Sequence, residues 1–290
     1  MQRKTSSTTK SESSKTGSTR STRVKKSDVI QEIEVSKKED LLSQIKIDLK
    51  HKNESQKKLT QAIKKDDVII CTGPAGTGKT LLSVAEALIL LRNNPEKYSE
   101  IKLVKSIVQL KDEDLGTLPG DEKDKLKFIM MSFLDSFYKL IGEELTTKLL
   151  NAGYIKMEVF GSIRGRSLSN CIILFDEFQN VTDNNGKTLL TRFAENTKVI
   201  ALGDSNQVDL RNPESSCLFE LVRMAKLLPE EGVSVVEFTE NDVVRHRLTK
   251  YFIKLFENPE YKKKPTPTKQ VKQRIVKKKT FLDKLSDFFR

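Results

Sequence analysis

From residue 67 onward the chain alternates short, β-branched apolar runs with longer stretches in which apolar positions return every three or four residues. The runs DVIICT (67–72), IKLVKS (101–106), IKMEVF (155–160), CIILFDE (171–177), KVIALGD (198–204) and VSVVEF (233–238) predict six strands. The stretches between and after them predict helices over 79–92, 122–151, 186–195, 215–228 and 241–257. Two more are predicted before the first strand, at 41–49 and 56–65. Strand runs this uniformly apolar must be covered on both faces. Their alternation with helices predicts an α/β fold built on a mainly parallel sheet with helices on either side. No internal repeat is visible.

Outside this body the pattern disappears. Residues 1–26, MQRKTSSTTKSESSKTGSTRSTRVKK, hold almost no large apolar side chain, which predicts a disordered basic arm. Residues 27–257 form the predicted domain, 258–279 a Lys/Pro linker, and 280–290 (TFLDKLSDFFR) a short amphipathic tip. Charge follows the same division. The arm carries eight Lys/Arg against Glu12, net +7, and residues 258–290 carry eleven against Glu260, Asp283 and Asp287, net +8. With +12 for the whole chain, the body is left at −3. The basic character is therefore a property of the tails and does not describe a binding face of the domain. Cys71, Cys171 and Cys217 have no metal-ligand spacing, and the first two sit in strand runs as small hydrophobes. No apolar run approaches the ~20 residues that span a bilayer, and no apolar signal core begins the chain. A soluble, cytoplasmic protein with no membrane association is expected.

The sharpest signal lies between the first strand and the helix that follows it. GPAGTGKT, Gly73 to Thr80, satisfies G-x-x-x-x-G-K-[ST] in the strand–turn–helix context that gives the pattern its meaning. Gly73, Gly76 and Gly78 permit a tight turn whose amides point inward, and the helix N-terminus favours an anion. The expected nucleotide-binding set is Gly73, Pro74, Ala75, Gly76, Thr77, Gly78, Lys79, Thr80 and Leu81, with Lys79 on the β/γ-phosphates and the Thr80 hydroxyl on Mg²⁺.

Further carboxylates and amides stand where strands end. CIILFDEFQN delivers Asp176 and Glu177 at the C-terminal end of a buried strand, where ligands collect in open α/β sheets. Asp176 is expected to help hold the Mg²⁺, and Glu177 to orient or deprotonate an attacking water. One strand later VIALGDSNQVDL turns at Gly203 and offers Asp204 and Gln207 to the terminal phosphate, with Gln207 as its sensor. Gln56, on the helix before the first strand, has the paired donor and acceptor that an adenine edge requires.

Taken in order, GPAGTGKT, LGTLPGDEKDK, SIRGRSLSNCIILFDEFQN, LLTRFAENTKVIALGDSNQVDL and DVVRHRL resemble the PhoH family, a RecA-like group related to the first motor domain of superfamily 1 helicases. The resemblance covers roughly residues 50–257. It implies ATP binding and hydrolysis with Mg²⁺, a role on RNA, and for some members hexameric rings. On the matching positions it implies Gln56 at the adenine, Lys79 and Thr80 at phosphate and metal, Asp176 and Glu177 at metal and water, and Gln207 as sensor. Two departures stand out. KSIVQ carries Ser106 and Gln109 where the family pattern has Pro and Glu, and Arg247 follows His246 where the family has Pro.

Superfamily 1 helicases close two RecA-like domains on ATP, the second supplying an arginine. Here about 40 Lys/Pro-rich residues follow position 250, too few for such a domain. The expected source is a neighbouring subunit, with Arg245 and Arg192 as candidates and a homo-oligomeric ring as the assembly. Arg164 and Arg166, flanking Gly165 in SIRGRS, are expected to grip the backbone of RNA or single-stranded DNA. The basic tails would add salt-sensitive affinity or serve only solubility. In the tip, Leu282, Leu285, Phe288 and Phe289 make an apolar stripe that resembles sliding-clamp docking peptides; packing on the protein itself, on a sister subunit or on a membrane are the other readings. His51 and His246 form no catalytic constellation. The reading reached is an ATP-hydrolysing helicase-like ring on nucleic acid. The alternative is an ATP-dependent switch or partner-binding regulator that does not translocate; a small-molecule kinase would need an arginine-rich lid.

Overall fold

The computed structural model describes residues 40–106, 122–163 and 166–244, together with 248, 251, 252 and 255. The basic arm, the linker, the tip with its Leu282, Leu285, Phe288 and Phe289, and both Arg164 and Arg245 lie outside the described residues. Up to Gln44 the described chain is one helical turn, at 40–43. The helix predicted over 41–49 does not continue, because IKIDLK alternates apolar and polar residues with a period of two; from Ile45 to Lys50 the chain is non-helical.

The body from Ile45 onward contains all six predicted strands, each within a residue or so of its expected bounds. They are β1 (Val68–Thr72), β2 (Glu100–Lys105), β3 (Ile155–Val159), β4 (Cys171–Asp176), β5 (Thr197–Gly203) and β6 (Val233–Glu237). They form one sheet in the order β3-β2-β4-β5-β1-β6, and every ladder is parallel. The register runs Ile70 beside Ala201 and Ile173 beside Val199, which puts these four side chains in one apolar cluster on the same face.

Helices occupy both faces. Helix α1 (Glu54–Lys65) is capped by Asn53, whose side chain accepts from the Gln56 N–H, and α2 (Lys79–Asn93) follows the phosphate loop. The single helix expected over 122–151 is three: α3 (Glu122–Ile129), α4 (Met131–Ile141) and α5 (Glu143–Asn151). Met130 leaves helical geometry at ψ 8, and Gly142 takes φ 80, a conformation that only glycine adopts cheaply. A short helix, α6 (Phe160–Ile163), follows β3. α7 (Asp183–Leu190) starts three residues earlier than expected and stops before Arg192, and α8 is Cys217–Leu227.

Helices α1, α2 and α4 pack together, with α2 lying on β2, β4 and β5. The opposite face is one cluster in which Ile70, Ile173, Phe175, Val199 and Ala201 meet Leu189, Cys217 and Leu218. Phe175 and Phe178 pack edge to face at 5.0 Å. All three cysteines are buried and free. Burial pushes the Cys71 and Cys217 thiols up to about 12 and that of Cys171 to about 11, so they act as hydrophobes. Among the described residues no helix is long and apolar enough to cross a membrane.

The strand order has one direct consequence for chemistry. Strands β4, β5 and β1 are neighbours, so the segments leaving their C-terminal ends emerge side by side. Those segments carry Asp176–Glu177, Asp204–Gln207 and the glycine-rich loop.

Candidate nucleotide-binding site

A cleft of about 420 Å³ opens at that end of the sheet. Its walls come from the loop and the start of α2, from the ends of β4 and β5, and from α4. Of the residues expected to hold nucleotide, Ala75, Gly76, Gly78, Lys79, Thr80 and Leu81 line it.

Gly73, Pro74 and Thr77 do not line the cleft; they build the loop from behind. The Thr77 side chain is buried, with its hydroxyl donating to the Pro74 carbonyl at 3.1 Å. Gly73 sits at φ 143 with the Phe238 carbonyl oxygen 2.5 Å from where a Cβ would stand, and the Phe238 N–H donates to Thr72 O. Gly73→Ala is therefore expected to destabilise the fold by about 1–3 kcal/mol, measured as a lower denaturant midpoint at unchanged slope. Val244, just before Arg245, donates its N–H to Gly76 O at 3.0 Å. The DVVRHRL block thus begins as a brace for the loop.

Gln56 differs from its expectation in the same way. It is only 4% exposed and does not line the cleft. Its amide donates to Thr77 O at 2.9 Å and accepts the Lys52 N–H at 2.7 Å. One donor and one acceptor position of this amide are engaged in tying the loop to the start of α1.

Lys79 folds over the loop, donating to the carbonyls of Gly73 at 2.6 Å and Pro74 at 3.0 Å. Burial pulls its amine below the usual lysine range, while the thiol of Cys71 and the carboxylates of Asp204, Asp176 and Glu177 pull the other way. Helix α2 begins at Gly78 without any side-chain cap. Its first amides are thus the orphan donors of a helix start, which a phosphate group satisfies.

The acidic residues come next. Asp176 accepts from the Ser132 hydroxyl at 3.1 Å, tying the strand end to α4. Glu177 stands in the left-handed region at φ 56, a conformation costing roughly 1–3 kcal/mol that is found where function demands it. Burial raises its carboxyl above the ordinary range, and the charge of Asp176 adds to this; a hydrogen bond from Gln179 and Lys105, 3.9 Å away, oppose it. Among the described residues no three His, Cys, Asp or Glu side chains gather into a metal cage of their own. Thr80 and Asp176 on the cleft wall are a donor set that suits Mg²⁺, which keeps most of its shell for phosphate and water.

Asp204 and Gln207 line the cleft, and the carboxylate of Asp204 is occupied. It accepts the Ala75 N–H at 3.1 Å, the Asn206 N–H at 3.0 Å and the Gln207 amide at 2.8 Å. Asp204 therefore buttresses the phosphate loop, and the Gln207 side chain stands beside it on the cleft wall.

Four contributors escaped the sequence reading. Ser132, Asp135 and Ser136 line the cleft from α4. Their spacing of i, i+3, i+4 marks a polar face opposite the buried Phe133 and Phe137, a signal visible only once the helix start at Met131 is known. The fourth is Gln179, fully buried and bonded to Glu177 and to the 204–207 loop.

The arginines fall elsewhere. Arg192 is exposed just past α7, where its carbonyl accepts the Leu168 N–H ahead of β4, at the end of the sheet away from the cleft. It cannot reach the cleft of its own subunit. Arg166 is held to Glu158 at 3.2 Å, a carboxylate shared with buried Lys102, and keeps about half its side chain in solvent. Among the described residues no arginine lines the cleft. His51 bonds Thr60 at 2.9 Å, a structural contact.

The family model described as "PhoH-like protein" matches residues 48–257, the whole of the sheet and its cleft. This chain belongs to the PhoH-like family. It is 36% identical over 212 residues to the PhoH-like protein of Synechocystis sp., covering 73% of this chain and 63% of that one. It is 34% identical over 206 residues to the PhoH-like protein of Bacillus subtilis, covering 71% and 63%. Against Protein PhoH of Escherichia coli K12 it is 34% identical over 199 residues, covering 68% and 55%. The match thus spans a little over half the length of these relatives. As a PhoH-like P-loop NTPase, the protein has the nucleotide-binding architecture that the cleft displays.

Proposed function

We propose that this PhoH-like protein binds and hydrolyses ATP with Mg²⁺ and couples turnover to RNA or single-stranded DNA as a helicase-like homo-oligomeric ring. The observation that carries the hydrolytic part is the convergence on one cleft of Lys79 and Thr80, Asp176 and Glu177, and Gln207. Lys79, displaced from its loop carbonyls, would neutralise the β/γ-phosphates. Thr80 and Asp176 would hold the metal, which supplies charge neutralisation on the phosphate oxygens. Glu177, held in a left-handed turn, would orient the attacking water, and Gln207 would report the terminal phosphate to the loop it belongs to.

Exposed Arg166 beside the end of β3 supports a nucleic-acid contact near this rim of the sheet. The test is steady-state ATP turnover with and without RNA or single-stranded DNA. Stimulation that declines as salt rises is expected for a motor that grips phosphates. Turnover indifferent to both polymers would leave the non-translocating switch as the reading, and phosphate transfer to a metabolite would identify a kinase.

A further inference from the structure

We infer that Gln179 is the positioning residue that joins the water-orienting carboxylate to the phosphate-sensing loop. This deepens the ATP-hydrolysis reading and rests on it. Gln179 is fully buried at the end of β4, in the short 3-10 turn Phe178–Asn180. Its amide makes three bonds, one to the Glu177 carboxylate and two to the 204–207 segment. Nε2 donates to Glu177 Oε2 at 2.6 Å and to the Gln207 carbonyl at 3.0 Å. Oε1 accepts the Asp204 N–H at 3.0 Å. Both donor hydrogens and one acceptor site are thereby used, so the amide has one orientation that satisfies all three partners.

Such a planar group cannot follow one partner without disturbing the others. A movement of the 204–207 segment, which also carries the Asp204 bond to Ala75 on the phosphate loop, is transmitted to the Glu177 carboxylate through a single rigid amide. The neighbouring residue offers an internal control. Asn180 clamps the same loop from outside, accepting the Asp209 N–H at 2.8 Å and donating to its carboxylate at 3.3 Å. Its side chain bonds Asp209; its backbone accepts from Ser106 and donates to the Glu177 carbonyl, and the Glu177 carboxylate is left to the Gln179 amide. Two consecutive amides therefore hold one loop, and only the first also aims the carboxylate.

The discriminating variant is Gln179→Glu. It keeps an acceptor for the Asp204 N–H, and with it the fold, while removing both donors and setting a second carboxylate against Glu177. The expected result is a loss of about 10²-fold in kcat, the scale of a catalytic group displaced by an ångström, with the Kd of a fluorescent ATP analogue changed less than about threefold. In a Glu177→Gln background the same change should cost little more, because the two residues act as one unit. Asn180→Leu should lose at least about tenfold less turnover than Gln179→Glu.

Additive losses in the double variant, an affinity loss matching the kcat loss, or an Asn180→Leu defect as deep as that of Gln179→Glu would each overturn the inference. Should Gln179→Glu fail to fold, Gln179→Met, which fills the same space without donors, takes its place with the same readings. Normal turnover by Glu177→Gln alone is a different failure, that of the hydrolysis reading beneath.

Discussion

Glu177→Gln is expected to cut ATP turnover by about 10²–10⁴-fold while leaving nucleotide affinity within about threefold of the parent. The substitution preserves shape and hydrogen-bonding capacity and removes only the charge and basicity. Affinity should persist because phosphate, on the proposed reading, would be held by Lys79, Thr80 and the helix start, none of which depends on Glu177 for position. Turnover should fail because the residue is the cleft carboxylate whose environment is arranged for proton chemistry. It is partly buried, lies beside Asp176, and is held in a strained backbone conformation with its carboxylate fixed by Gln179. The measurement pairs steady-state phosphate release with equilibrium binding of a fluorescent ATP analogue. Undiminished phosphate release would remove Glu177 from the mechanism.

The second large effect concerns arginine. Transferring charge is commonly stabilised by a guanidinium worth ~10³–10⁵ in rate. Among the described residues none lines the cleft, and Arg192 is exposed at the opposite end of the sheet from its own site. If the proposed ring brings Arg192 or Arg245 of one subunit to the cleft of the next, turnover per subunit should collapse as dilution takes the assembly apart. Replacing the contributing arginine with alanine should do the same without disassembly. Mixing provides the stricter measurement. Subunits lacking the arginine, combined with Glu177→Gln subunits, should regain activity, since some junctions then pair an intact carboxylate with an intact arginine. Turnover per subunit that is flat across the dilution series, with mixtures no better than their components, would exclude an arginine in trans.

The elements that were legible from the sequence were those with a strong local signal. Short β-branched apolar runs such as VIIC and CIILF suit interior strands, and all six lie within a residue or so of the expected positions. The loop from Gly73 to Thr80 was legible because a left-handed turn entering a helix demands that glycine spacing, and Gly76 and Gly78 do take positive φ. Where local signals competed, the observed elements differ from the expected ones. IKIDLK has a period of two beneath an apparently helical apolar content, and Gly142 divides an otherwise continuous apolar periodicity.

What the sequence by itself determined, then, is the class of fold and the identity of the phosphate-holding loop, because both rest on interactions between residues near one another in the chain. Tertiary structure decided the rest. Only the strand order β4-β5-β1 brings Asp176, Asp204 and Gly73 to one rim. Only packing makes Gln56 and Asp204 braces of the loop, and makes Gln179 the link between Glu177 and the 204–207 segment. A buried amide or carboxylate takes its role from whichever donors and acceptors surround it, and the partners that tie Gln56, Gln179 and Asp204 to other segments stand 21 to 129 residues away.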